Sequence, residues 1–120
     1  MYSKKQVGNE GEDIAREFLE NQGYKILETN YRTRRGEIDI IARDKDEIVF
    51  VEVKTRKALN CGLPAEAVDE AKQQHLYKAA EYFLYRNNLI RYYCRFDVVE
   101  VYMLNDSIKI EHLKNVEINS

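Results

Sequence analysis

The sequence predicts a single α/β domain over residues 1–120, built as a mixed β-sheet flanked by helices. Two amphipathic helical stripes enclose three strand-like segments, and two further strand-like segments follow the second stripe. That order suits a mixed sheet better than a doubly wound parallel one. The length is that of one ordinary domain. With 33% charged and 44% apolar residues, the composition is that of a globular chain rather than a disordered or fibrous one.

In residues 10–22, Ile14, Ala15, Phe18 and Leu19 recur at helical spacing, and Gly23 supplies a C-cap. Residues 24–31, 36–43 and 47–55 read as strands, the second with an Ile-rich face and the third rich in valine. Asp44, Lys45 and Asp46 turn the chain between the last two. A loop holding Asn60, Gly62 and Pro64 leads to a helix over residues 69–86, with Asp69 as its cap. Ala71, His75, Leu76, Ala79, Ala80, Phe83 and Leu84 mark its buried face, so His75 is expected in the core. Asn87 and Asn88 end this helix. Residues 95–103 and 107–113 are expected to pair as strands across a turn at Asn105 and Asp106.

Bulk properties narrow the function. No apolar run approaches the roughly 20 residues that span a bilayer, and the opening Met1, Tyr2, Ser3, Lys4 and Lys5 lead into polar sequence, so a cytoplasmic location without membrane contact is expected. Cys61 and Cys94 lack CxxC spacing and read as free thiols. A net charge of -2 argues against a protein that coats nucleic acid by charge alone. It leaves room for a nuclease, whose acidic site lowers the count.

The chemistry gathers at the predicted hairpin. Side chains two apart share a strand face, so Glu37, Asp39 and Ile41 point one way, and Phe50, Glu52 and Lys54 likewise share a face. With Lys45 and Asp46 as a two-residue turn, Asp44 faces Glu47, Asp39 faces Glu52 and Glu37 faces Lys54. Two carboxylates across a ladder repel by about 1 kcal/mol at 4 Å in water, and by several times that at lower dielectric. A hard divalent ion, Mg²⁺ or Mn²⁺, offsets the repulsion, with oxygens from Asp39, Glu52 and the Val53 backbone carbonyl and the rest from water and a substrate phosphate. Lys54 then orients the attacking water and neutralises charge in the transition state, which is the chemistry of phosphodiester hydrolysis. The alternative is an exposed hairpin in which Lys54 simply pairs with Glu37 or Asp39. Against it, Glu52 and Lys54 interrupt the apolar run of Val49, Phe50, Val51 and Val53, where charge is costly without partners.

The same pairing brings Arg34 and Arg35 beside Arg56 and Lys57, a basic rim suited to a phosphate backbone. A solvated charge run balanced by nearby acids fits these residues equally well. Glu12 lies at the edge of the first helix's apolar stripe, about 90° from its centre, where it reaches toward the sheet as a further acid. Asn9 and Glu12 also fit a helix capping box, which needs no catalysis. In the second helix Lys72 and Gln73 either project to a phosphate or site water, or serve as a snorkelling lysine and a surface amide. Tyr82, Tyr85, Tyr92, Tyr93 and Tyr102 receive no site role, because tyrosines at these spacings more often complete a core or a dimer contact. His112 stands alone.

Taken together, Gly8, Gly11 and Glu12, the segment Gly36 to Ile41, the segment Phe50 to Arg56, Lys72 with Gln73, and Arg95, Phe96 and Asp97 form blocks in order. On these blocks the chain resembles the YraN family of small bacterial proteins over about residues 7–102. The resemblance implies a restriction-endonuclease-like core of the PD-(D/E)xK nuclease superfamily, similar to archaeal Holliday junction resolvases. It implies catalytic roles for Glu12, Asp39, Glu52 and Lys54 and metal-dependent cleavage of DNA, branched or junction DNA above all. Ile38 stands where the superfamily motif has proline. Resolvase-like enzymes cut paired strands as dimers, so a homodimer would be useful. Two functions go forward from the sequence: a Mg²⁺- or Mn²⁺-dependent DNA nuclease, and a non-catalytic nucleic-acid-binding or protein-interaction module that uses Arg34, Arg35, Arg56 and Lys57.

Overall fold

The computed structural model describes residues 4–57 and 70–117, with side chains described for residues 10–56 and 73–117. Helix α1 (Lys4–Asn21) leads into strands β1 (Lys25–Arg32), β2 (Glu37–Asp44) and β3 (Glu47–Lys57). Helix α2 (Glu70–Arg86) precedes β4 (Tyr93–Met103) and β5 (Ile108–Leu113). The strands form one sheet in the order β1-β2-β3-β4-β5, with β3 and β4 parallel and the other neighbours antiparallel. Parallel strands need a long crossover, and α2 lies in the connection that provides it. The expected mixed sheet between helices is therefore the fold.

Both helices end as their sequences direct. Gly23 takes φ +94°, its N–H donates to Glu20 O, and the Tyr24 N–H donates to Leu19 O, each at 3.0 Å. This is a Schellman ending, with Tyr24 and Leu19 both buried behind it. Asn88 plays the glycine's part at the end of α2, with φ 57° and the Leu89 N–H donating to Leu84 O at 2.8 Å. The start of α1 differs from expectation. It begins at Lys4, so Asn9 and Glu12 lie inside the helix and the capping-box reading fails, since a cap must stand at the first turn. The proposed Asp69 cap, the loop with Asn60, Gly62 and Pro64, and Cys61 lie outside the described residues.

Each helix covers one face of the sheet. Ala15 and Leu19 of α1 pack on Ile40, Ala42, Val49 and Val51, while Leu76, Ala79, Ala80 and Phe83 of α2 pack on Ile38, Ile41, Ile48 and Phe50. Fully burying each large aliphatic or aromatic side chain contributes about 1.5–3 kcal/mol, so both helices are held mainly by these faces. His75 corrects an expectation: it is exposed. A Cβ at Gly36 would stand 2.8 Å from the His75 backbone oxygen. The β1–β2 turn thus lies directly on the helix backbone at His75, and the buried stripe runs through Leu76, Ala79, Ala80 and Phe83 instead.

Candidate active site

The β2–β3 ladder keeps the expected register, from Asp44 opposite Glu47 to Ile40 opposite Val51. There it stops. Asp39 does not continue it to a rung with Glu52; its Oδ2 accepts a 2.8 Å hydrogen bond from the Val53 backbone N–H. Strand alternation breaks at the same point, because Ile38 and Ile41 pack toward α2 while Ile40 and Ala42 pack toward α1. A carboxylate has taken the place of a strand partner, and the Val53 N–H is satisfied by it. The N–H and C=O of one residue point to the same side of an extended strand. The Val53 carbonyl therefore faces the gap that Asp39 enters.

Glu12 reaches this gap from α1. The close approach depends on Gly11, where a Cβ would stand 1.9 Å from Thr55 Oγ1 on β3; only a residue without a side chain lets the helix lie so near. Burial pushes the Glu12 carboxyl above the usual carboxylate range. The charge of Glu37 adds to the rise, and hydrogen bonding to Asn30 and Asp39 offsets part of it. Asn30 holds φ 52° within β1, a left-handed conformation that asparagine tolerates better than most residues. Sequence reasoning missed Asn30, although an asparagine inside a strand-like segment was its available signal.

Glu52 and Lys54 continue the alternation of Phe50 onto the α2 side of the sheet. Glu52 is 7% exposed. It joins Ile38, Leu76 and Phe96 around a void of about 10 Å³, the size that holds a single water. In the parallel ladder Lys54 stands beside Glu100 and Arg56 beside Tyr102. Glu100 is buried at 1% exposure, accepts a 3.1 Å hydrogen bond from the Tyr102 hydroxyl, and lies 3.6 Å from Arg56 Nε. Arg56 is therefore turned into this polar face instead of outward. Among the described residues its Nη2 has no hydrogen-bond partner, although it is buried.

The structure gathers Glu12, Asn30, Asp39 and the Val53 backbone, with Glu52 and Lys54 adjoining them along β3. The paired ladder that was expected to carry Arg34 and Arg35 to Arg56 ends at Ile40 and Val51, and Arg56 lies against Glu100. Arg34 and Arg35 are exposed on a turn in which the Thr33 hydroxyl accepts from the N–H groups of Arg35 and Gly36, at 3.0 and 3.1 Å. Gln73 is half-buried in the first turn of α2. The side chains of Lys57 and Lys72 lie outside the described residues. Among the described residues, no three His, Cys, Asp or Glu side chains converge on one point, and no helix is long and apolar enough to cross a membrane.

A second buried polar cluster lies toward the hairpin turn, on the α1 side. Asp97 accepts from Arg95 Nε at 3.1 Å, from His112 Nε2 at 2.7 Å and from the Asn115 N–H at 3.0 Å. Arg95 also bonds Asp44 at 3.2 Å and the Tyr24 hydroxyl, and it pairs with Glu47 at 3.4 Å. Burial pushes the Asp97 carboxyl up, but the bonds from His112, Asn115 and Arg95 outweigh it and hold the group below its ordinary value. His112 is thus far from alone: it lies on strand β5 opposite Val99 and stands edge-on to Phe18 and Tyr24, where no sequence pattern announced it.

The model of the Uncharacterised protein family UPF0102 matches residues 11–101. A UPF0102 protein of Caldanaerobacter subterraneus is 47% identical over 114 residues, covering 95% of this chain and 93% of the relative. UPF0102 proteins of Caldicellulosiruptor saccharolyticus and Caldicellulosiruptor bescii are 50% and 53% identical, covering 94% and 92% of this chain and 98% and 96% of their own. The chain belongs to the UPF0102 family.

Proposed function

We propose that this UPF0102 protein is a Mg²⁺- or Mn²⁺-dependent nuclease that hydrolyses phosphodiester bonds in DNA, with branched or junction DNA as its preferred substrate. The observation that carries the reading is the early end of the β2–β3 ladder, where the Asp39 carboxylate, the Val53 peptide and Glu12 share one gap. The resemblance to PD-(D/E)xK nucleases supports it, since Glu12, Asp39, Glu52 and Lys54 are the positions that match.

The donor chemistry fits a hard divalent ion. Asp39, Glu52 and the Val53 carbonyl offer only oxygen, and such an ion takes one or two carboxylates, with waters and a substrate phosphate completing its shell. The acids crowded around Glu12 supply the negative charge that a cation offsets. Bound there, the ion would supply Lewis-acid polarisation of a phosphate oxygen and a more acidic water. The chain's own groups do the rest. The Val53 N–H fixes the direction of Asp39. Lys54, two residues beyond Glu52 on the same strand face, orients the attacking water and neutralises charge developing on the phosphate oxygens. Glu12 orients water from the α1 side.

A panel of duplex, flap and four-way-junction DNA and matching RNA, incubated with Mg²⁺ or Mn²⁺, tests the reading. Cleavage should require metal and should fall by about a hundredfold or more in Asp39→Ala and Glu52→Ala. Cleavage that persists unchanged in both variants sinks the site assignment. A second reading, a binding module without hydrolysis, is favoured by the exposure of Arg34 and Arg35; it predicts salt-sensitive oligonucleotide binding and no products under any metal.

A further inference from the structure

Arg34 and Arg35 have neighbours on α2 that the sequence did not announce. They form one wall of an open groove of about 800 Å³, with Arg32 beside them, and Lys78, Tyr82 and Tyr85 of α2 form the other. Lys78, Tyr82 and Tyr85 recur at positions i, i+4 and i+7, so they project from a single helix face. Four cations line the groove against one carboxylate, Glu81, although the whole chain carries -2. Its tyrosines are unusually bare, with Tyr82 48% and Tyr85 72% exposed. Neither completes the core, in contrast to Phe83 between them at 4%.

We infer that this groove binds single-stranded nucleic acid, its cations tracking the phosphate backbone and Tyr82 and Tyr85 stacking on successive bases. The inference rests on the nucleic-acid reading above and deepens it by naming the form of substrate that is held. Cations that follow a backbone, combined with aromatic rings about one helical turn apart, are the recurring means of gripping unpaired strands. A duplex keeps its base faces stacked inside and offers nothing to rings standing out from a helix, so the tyrosines select against it. The Arg86 guanidinium, 5.8 Å over the Tyr82 ring, extends the positive surface along the same face. The two walls are also locked together, because the β1–β2 turn lies on the α2 backbone at His75 through Gly36. Beyond Arg35, only Gly36, Glu37 and Ile38 precede Asp39. A strand held in the groove thus lies against the turn that leads directly into β2, the strand that carries Asp39.

The test is fluorescence anisotropy of a labelled 15-nucleotide oligo(dT) and of a 15-base-pair duplex, titrated with the full chain in EDTA at low salt. The oligo(dT) should bind more tightly than the duplex. Tyr82→Ala and Tyr85→Ala should each weaken oligo(dT) binding by roughly tenfold. The double change Arg34→Glu with Arg35→Glu should weaken it at least as much and flatten the salt dependence by about 0.7 in log–log slope for each phosphate no longer held. Lys25→Glu, the same charge reversal made once, on an exposed lysine at the far end of β1, should leave the affinity within about twofold. Tyrosine variants that bind like the parent, arginine variants that weaken no more than Lys25→Glu, or an absence of oligo(dT) binding would each overturn the inference. Because EDTA removes divalent ions, the measurement reads the groove independently of the carboxylate gap. Tyrosine-dependent binding without cleavage under any metal would uphold the groove and discard the nuclease, whereas cleavage without such binding would do the reverse.

Discussion

Removing the Asp97 carboxylate should be among the most destabilising single changes in this chain. Its side chain is fully buried, and it accepts from Arg95, His112 and the Asn115 N–H. Asp97→Ala leaves three donors facing a void, one of them a guanidinium only 9% exposed. Breaking a buried ion pair by removing one partner costs about 3–5 kcal/mol. Arg95 keeps Asp44 and Glu47, both more exposed, so the low end applies and the expected loss is about 3 kcal/mol. Asp97→Asn retains one acceptor oxygen and should lose about half as much. Against a total of about 5–15 kcal/mol for a domain, either loss is readily measured by urea unfolding followed by far-ultraviolet circular dichroism, read from the midpoint at constant slope. Acid adds a second signature. A carboxyl held below its ordinary value contributes stability that is complete above about pH 4 and is lost as pH falls through its lowered folded value. The gap between the parent and Asp97→Asn should therefore narrow below about pH 4. An Asp97→Ala protein within about 1 kcal/mol of the parent would refute the reasoning.

Other expectations follow from close contacts and exposed pairs. Gly11→Ala drives a Cβ into Thr55 Oγ1 and should cost about 1–3 kcal/mol; combining it with Thr55→Ala should recover part of the loss in a double-mutant cycle. Gly36→Ala meets the His75 backbone, which cannot yield as a side chain can, so a similar loss of about 1–3 kcal/mol should appear with no rescue from His75→Ala. Glu111→Ala breaks the exposed pair with Lys109 at 3.4 Å, and its stability should match the parent to within about 0.5 kcal/mol by urea unfolding.

The frame of the molecule is readable from local patterns. Ile14, Ala15, Phe18 and Leu19 announce α1, Gly23 ends it, and the turn at Lys45 and Asp46 sets a register that holds from Asp44 to Ile40. What those patterns do not carry depends on meetings between distant segments. The pairing of β3 with β4 is parallel and leaves no turn between them to read, so nothing indicated that Arg56 would find Glu100. Ideal alternation carried the ladder on to Asp39 and Glu52, but Asp39 bonds the Val53 N–H and the rung is lost. His75 satisfied a helical stripe, yet the β1–β2 turn occupies the space in front of its backbone. Tyr82 and Tyr85 have spacings that suit a core or a dimer contact; the sheet beneath α2 is already filled by Phe83 and Phe50, and both tyrosines are exposed.

The bond between Asp39 and the Val53 N–H has a spectroscopic consequence. Most amides in β3 exchange with solvent only when strands separate, but this one is guarded by a single carboxylate. Its exchange rate and chemical shift therefore register what that carboxylate is doing, independently of whether the sheet opens. The Val53 amide is a built-in reporter, and any cation or substrate that draws Asp39 away will be visible there before a single bond is cut.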